Sequence, residues 1–234
     1  MYVLYSYVEQ LLPFERDYFL WLNGHHTEFL DSFMYVYTDK VTWLPVCIAL
    51  FFTMFYRLKW KEAVLLILSA VILGLLCDKF PADFIKPFFD RLRPTHHPDY
   101  KDIVNVVKNM RGGRLGFISN HAANGFGIAA FTALLFRYKP YTFIIYLWAF
   151  ITAYSRIYLG VHFITDVIGG MIWGSLVALG VYALYSFCRK KVLHIPREEL
   201  FKPILTPRKA QIMIGAFFIT LVYVILRGIF SEVI

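Results

Sequence analysis

The chain has 234 residues, of which 59 % are hydrophobic, 19 % aromatic and only 17 % charged, with a formal charge of +8. A globular chain usually carries about 25 % charged residues, so these figures exclude a disordered, collagen-like or disulfide-scaffold protein and argue against a soluble one. In a membrane protein a basic excess reads as a topology signal and requires no nucleic-acid partner.

Residues 1–40 scatter Glu9, Glu15, Arg16, Asp17, Glu28 and Asp31 among Tyr, Phe, Trp and Leu, and no uncharged run there is long enough to span a bilayer. They read as an amphipathic interfacial helical segment. No basic stretch followed by an apolar run and a small-residue cleavage site precedes them, so no cleaved signal peptide is expected. A bilayer core about 30 Å thick needs about 20 apolar residues per helix, and strict alternation is absent. Six spans are therefore expected. They lie at 41–56 with an extension back to 33, at 63–77 running on toward 89 with a bend at Pro81, and at 119–136, 141–154, 163–187 and 210–226. The fold class is all-α: a polytopic membrane helical bundle of about six helices behind the interfacial segment. By domain this gives 1–40 as that segment, 41–188 as the membrane core, 189–209 as a basic loop and 210–234 as the last helix.

Half of the 24 lysines and arginines fall in three connections: Arg57, Lys59 and Lys61; Arg137 and Lys139; and Arg189 to Lys209. With six spans all three lie on one side, which the positive-inside rule makes cytoplasmic. The N-terminus, the 78–118 connection and the 156–162 loop then face outward. Cys47, Cys77 and Cys188 sit in or beside apolar runs, without the spacing of a metal knuckle or redox pair.

Three polar clusters fall at the outward ends of these spans. In the first, Lys79, Lys86 and Arg93 recur every seven residues, with Asp83 and Asp90 four residues after the lysines, a helical pairing distance. Snorkelling cations at a solvated helix end and an anion clamp both fit this pattern. In the second, Ser119 suits an N-cap, and the free N–H groups of Asn120 and His121 would make an anion site. A plainly capped helix with an interfacial histidine fits as well. The following Ala122, Ala123, Gly125, Gly127, Ala129 and Ala130 allow close helix packing. In the third, His162 and Asp166 are i and i+4, so a carboxylate can hold one imidazole nitrogen and leave the other free as base or nucleophile. Arg156 offers a fork for phosphate oxygens. A structural His–Asp pair is the alternative. His96, His97 and Asp99 could form a ligand set but read rather as a hydrated loop tip, and no metal or cofactor is expected.

Lys86, Arg93 and Pro94 match K-x6-R-P, and Ser155, Arg156, His162 and Asp166 match S-R-x5-H-x3-D. With these motifs the chain resembles the type 2 phosphatidic acid phosphatase family, which shares its core with the vanadium haloperoxidases. The intermediate motif P-S-G-H keeps Ser119 and His121 but has Ile118 for proline and Asn120 for glycine. The resemblance covers about residues 60–188. It implies a metal-independent phosphatase with His162 as the nucleophile forming a phosphohistidine, Asp166 orienting it, and His121 as acid and then base. Lys86, Arg93, Ser119, Asn120 (through its backbone) and Arg156 would hold the phosphoryl oxygens. Asn120 would place an added side chain beside the phosphate. The implied partners are the bilayer and a lipid phosphate, with undecaprenyl diphosphate foremost. Lipid A or phosphatidylglycerophosphate hydrolysis, a lipid-to-lipid phosphotransferase, and a small transporter or lipid-binding protein are the alternatives. The implied location is the bacterial inner membrane, with the site facing the periplasm or exterior.

Overall fold

The computed structural model describes residues 8–200 and 202–230. Among these the chain is helical, with one isolated antiparallel bridge between Leu92 and Leu115. Eight helices are numbered here: α1 (Leu12–Asn23), α2 (Glu28–Thr38), α3 (Leu44–Phe55), α4 (Trp60–Phe89), α5 (Asn120–Phe136), α6 (Lys139–Tyr158), α7 (Ile164–Lys191) and α8 (Pro207–Ile229).

Several helix starts follow from local sequence. Thr27 caps α2 by accepting from the Leu30 N–H, Ser119 caps α5 at the Ala122 N–H, and Thr206 caps α8 at the Lys209 N–H. Each hydroxyl satisfies one of the orphan donors of a first turn. Pro13, Pro45, Pro140 and Pro207 sit in first turns, where a missing N–H costs nothing.

The expected bend at Pro81 is instead two wide π-helical turns, 75–79 and 81–85, inside a continuous α4. Proline has no N–H and its ring clashes with the carbonyl four residues back, and a π turn absorbs both defects without ending the helix. The expected backward extension of the first span is a broken pair: α2 meets the Val41–Phe55 segment at 69°.

Among the described residues three helices, α4, α7 and α8, are long and apolar enough to cross a membrane, and the α2–α3 pair makes a fourth if counted as one bent span. Six were expected. The two that fall short are α5, with 17 residues, and α6, whose 20 residues include Lys139, Arg156 and several Tyr and Thr. α5 lies at the centre, with much of it buried, whereas α6 buries Tyr141, Ile145, Ala149 and Ala153 and turns Phe143, Leu147 and Phe150 outward. A helix shielded by others need not be uniformly apolar.

α5 and α7 cross with their backbones in close approach. A Cβ on Gly170 would strike the Ser119 carbonyl, and one on Gly174 would strike that of Ala123. A Cβ on Gly127 would lie 2.9 Å from Cys77 Sγ of α4. The outer faces of α3, α4, α7 and α8 expose large apolar side chains such as Phe52, Leu68, Ile172, Leu176 and Ile219. A soluble monomer rarely presents so much apolar surface, and a bilayer accepts it.

Candidate active site

At one end of the bundle, the end of α4, the start of α5, the end of α6 and the start of α7 converge under the 90–118 connection. Residues 91–93 run antiparallel to 114–116 there: the Gly116 N–H donates to the Arg91 carbonyl at 2.8 Å and the Arg93 N–H to that of Arg114 at 3.0 Å. The backbone can pass this close because residue 116 is glycine; a Cβ there would lie 2.7 Å from Asp166 Oδ2.

His162 lies in the connection between α6 and α7 and is 1 % exposed. Its Nδ1 is 3.2 Å from Oδ2 of Asp166, which also accepts the Phe163 N–H at 3.1 Å. Its Nε2 is 2.7 Å from Nη1 of Arg93. A guanidinium only donates, so Nε2 must be the unprotonated acceptor and Nδ1 the donor to Asp166. That tautomer puts the Nε2 lone pair on Arg93 Nη1, within the group of cations. Arg93 is anchored by donating through Nε to the Leu115 carbonyl at 3.1 Å and through Nη1 to that of Val161 at 3.0 Å. Burial pushes the His162 pKa well below its usual value, and Arg93, Lys86, Arg156 and His121 push it further the same way. The imidazole is therefore neutral near pH 7.

Lys86 is buried, and its Nζ donates to the carbonyls of Gly116 and Ile118 at 3.1 and 2.9 Å. The expected pairing with Asp90 is replaced by these bonds. Asp90 closes α4 in a left-handed conformation, and Arg93 lies beyond the helix end, so the seven-residue spacing is not carried by one helix face. Arg156, in the last turn of α6, donates through Nη1 to Thr38 Oγ1 at 2.7 Å, while its Nε is buried with no partner among the described residues. A buried donor left open is costly unless a ligand takes it.

Ser119 is fully buried, and its N–H donates to the Asp166 carbonyl at 2.9 Å, binding the start of α5 to the first turn of α7. The Asn120 side chain was expected beside the phosphate. Instead its Nδ2 donates to the carbonyl and Oδ1 of Asp78, at 2.8 and 3.2 Å, and Asn124 adds a third bond to Asp78 at 3.1 Å. The wide turn of α4 brings Asp78 within this reach.

His121 lines two adjoining cavities. One of about 370 Å³ is lined by Arg156, Lys40, Asp39 and Thr38, and the other, of about 570 Å³, by mostly apolar residues including Trp43, Cys47, Val71, Leu75 and Trp148. Arg156 and His121 thus reach open space, whereas His162, Lys86 and Arg93 are gathered behind them. The connection holds His97 otherwise than as a hydrated tip: it is buried against the rings of Tyr100 and Phe163, with Nε2 3.4 Å from Glu9. Among the described residues no three His, Cys, Asp or Glu side chains converge as a metal set.

Two residues of this region escaped the sequence reading. Arg91 is fully buried, donating to Asp166 Oδ1 at 2.9 Å, to Thr165 Oγ1 at 2.5 Å and to Glu15 Oε1 at 2.6 Å. Glu15 comes from α1, in the segment read as purely interfacial, and no local pattern marks it. Arg91 could have been noticed as the first arginine of Arg-x-Arg-Pro.

The family model of the PAP2 superfamily matches residues 63–190. A lipid A 4'-phosphatase of Porphyromonas gingivalis is 44 % identical over 186 residues, covering 80 % of this chain and 79 % of that protein. Another protein of the same name, from Bacteroides thetaiotaomicron, is 34 % identical over 184 residues, 78 % of this chain and 80 % of its own. The crystal structure of Aquifex aeolicus LpxE shares the fold, with a TM-score of 0.56 at 24 % identity, over 73 % of this chain and 95 % of that one.

Proposed function

The chain belongs to the PAP2 superfamily, and from that premise we propose that it is a membrane lipid phosphatase working through a phosphohistidine on His162. The observation that carries this reading is the 2.7 Å contact of Arg93 with His162 Nε2 beside the His162–Asp166 bond. It puts a neutral, oriented nucleophile among buried cations.

As Arg93 Nη1 turns from Nε2 to a phosphoryl oxygen, the freed lone pair attacks phosphorus, and the N–P bond forms as the bond to the lipid oxygen breaks. Lys86, Arg93, Arg156 and the N–H groups at the start of α5 stabilise charge on the equatorial oxygens. His121 gives its proton to the departing lipid alkoxide. It then takes one from water, whose oxygen attacks phosphorus, breaks the N–P bond and releases inorganic phosphate. No step calls for a metal. Ser119 acts through its backbone position and as the cap, and Asn120 through its N–H.

An amphiphilic substrate is supported by the two cavities that share His121, one beside Arg156 and one apolar and larger. The relatives named lipid A 4'-phosphatase favour a phosphate monoester on lipid A over undecaprenyl diphosphate. Six spans remain the proposed topology, with α5 crossing at the centre and α6 turning Phe143, Leu147 and Phe150 toward the lipid. The basic connections then face the cytoplasm, and the site faces the periplasm from the inner membrane. The four-part division 1–40, 41–188, 189–209 and 210–234 is proposed with it.

The test is phosphate release by the purified protein from a panel of lipid A, undecaprenyl diphosphate, phosphatidic acid and phosphatidylglycerophosphate, with and without EDTA. Release from lipid A above the rest, insensitive to EDTA and lost in His162→Ala, is expected. Undiminished release by His162→Ala would overturn the mechanism, and a preference for another lipid would overturn the substrate.

A further inference from the structure

Glu15 is a carboxylate from α1, outside the residues 63–190 that match the family, yet it is buried against the residues that hold His162. Its Oε1 accepts from Arg91 Nη2 at 2.6 Å and from the Thr165 hydroxyl at 2.7 Å; its Oε2 accepts the Thr165 N–H at 2.8 Å. Thr165 is the second residue of α7, so Glu15 satisfies one of that helix's free N–H donors and places negative charge at its positive end. Arg91 lies between Glu15 and Asp166, with its guanidinium 4.7 Å from the centre of the Phe163 ring. Asp166 in turn binds His162. The chain of contacts Glu15–Arg91–Asp166–His162 is continuous and almost wholly dry.

From this geometry we infer that Glu15 and Arg91 are positioning residues for the phosphoryl transfer, with α1 completing the active site by fixing the Asp166 carboxylate. The inference rests on the proposed His162 mechanism. Asp166 has two oxygens and must turn Oδ2 to His162; Arg91 claims Oδ1 and so fixes the rotation of the carboxylate. An arginine with no second carboxylate would pull Asp166 toward itself and add a fourth cation to a pocket already holding Lys86, Arg93 and Arg156. Glu15 balances that charge and holds the guanidinium plane, so Asp166 keeps its pull on the Nδ1 proton. An arginine bridging two carboxylates, Nη1 to Asp166 and Nη2 to Glu15, makes charge-assisted bonds to both. Loss of one partner leaves an uncompensated buried charge. Both residues reach His162 only through Asp166, so the effect falls on turnover rather than on binding.

The experiment is a mutant cycle on the full chain in detergent, with lipid phosphate hydrolysis as the readout, comparing Glu15→Gln, Asp166→Asn and the double variant. Glu15→Gln is expected to lower kcat about tenfold or more, with KM and the inhibition constant of inorganic phosphate changed less than about twofold. In the Asp166→Asn background the same change should alter kcat less than about twofold, because both substitutions break one connection. Glu15→Asp, which keeps the charge and shortens the reach, should recover part of the loss. If Glu15→Gln does not fold, as judged by gel filtration and thermal unfolding, Thr165→Val removes the shared hydroxyl more gently and enters the same cycle. Unchanged kcat in the folded variant, or an equal loss in both backgrounds, would overturn the inference and leave these bonds with a purely structural role. Activity of wild type that does not depend on His162 would instead overturn the underlying mechanism.

Discussion

Because arginine only donates, the contact between Arg93 and Nε2 assigns the His162 tautomer, and burial among cations holds the ring neutral. The sign of the resulting pH effect follows. A lowered imidazole pKa keeps the nucleophile unprotonated as pH falls, so the acid limb of kcat/KM that belongs to His162 should lie below the ordinary imidazole value of about 6.5. A pH profile from 4 to 8, corrected for ionisation of the substrate phosphate, measures it; an acid limb at or above that value would contradict the burial argument. Asn120 is a second test at this scale. Asn120→Gly restores the residue common to the family and removes the bonds to Asp78. Since its N–H stays, kcat should change less than about threefold, while stability falls by about 1–2 kcal/mol from lost hydrogen bonds and added backbone freedom. A thermal shift and a rate on the same preparation check both. The His162–Asp166 contact was legible from the four-residue spacing, and Arg156 and Lys86 stood out by charge alone. Glu15 was not, because a carboxylate in an amphipathic helix looks the same whether it faces water or an arginine 76 residues away.

Among the elements, the starts of helices were readable and their interruptions were not. Ser119 announces α5 through a cap that any short hydroxyl can make, whereas Pro81 signals a defect without saying how the backbone repairs it. The repair chosen, two wide turns, keeps α4 continuous and brings Asp78 to Asn120 and Asn124. The small residues of α5 did announce a close neighbour, and the matching glycines on α7 were identified only by the crossing itself. Gly174→Ala should therefore lower the unfolding temperature, costing about 1–3 kcal/mol by overpacking against the Ala123 carbonyl. Gly180→Ala on the same helix has open space around its Cβ and should be neutral or gain up to about 1 kcal/mol. Thermal unfolding of the pair in one detergent checks the difference; equal behaviour would contradict the packing argument.

For the molecule as a whole, the charge pattern predicts a sidedness. A cysteine at position 190 should label only after the membrane is permeabilised, and one at position 99, in the exposed part of the 90–118 connection, should label in intact spheroplasts. The reverse pattern would overturn the outward-facing site. Not all of the inward-side charge is topological: Arg189 is buried with its Nε 2.6 Å from Glu62, which also accepts the Tyr185 hydroxyl at 2.9 Å, so this pair ties α4 to α7 at the end far from the site. The sequence by itself determined an all-helical membrane protein and the motif residues that the fold gathers at one end, because hydropathy runs and fixed motif spacings are local and survive without coordinates. Only the tertiary structure decided that α1 reaches the Asp166 carboxylate through Arg91, that Asn120 turns to Asp78, and that His121 stands between a polar and an apolar cavity. Those facts depend on which helix faces which, and contacts between residues far apart in the chain leave no periodicity to read.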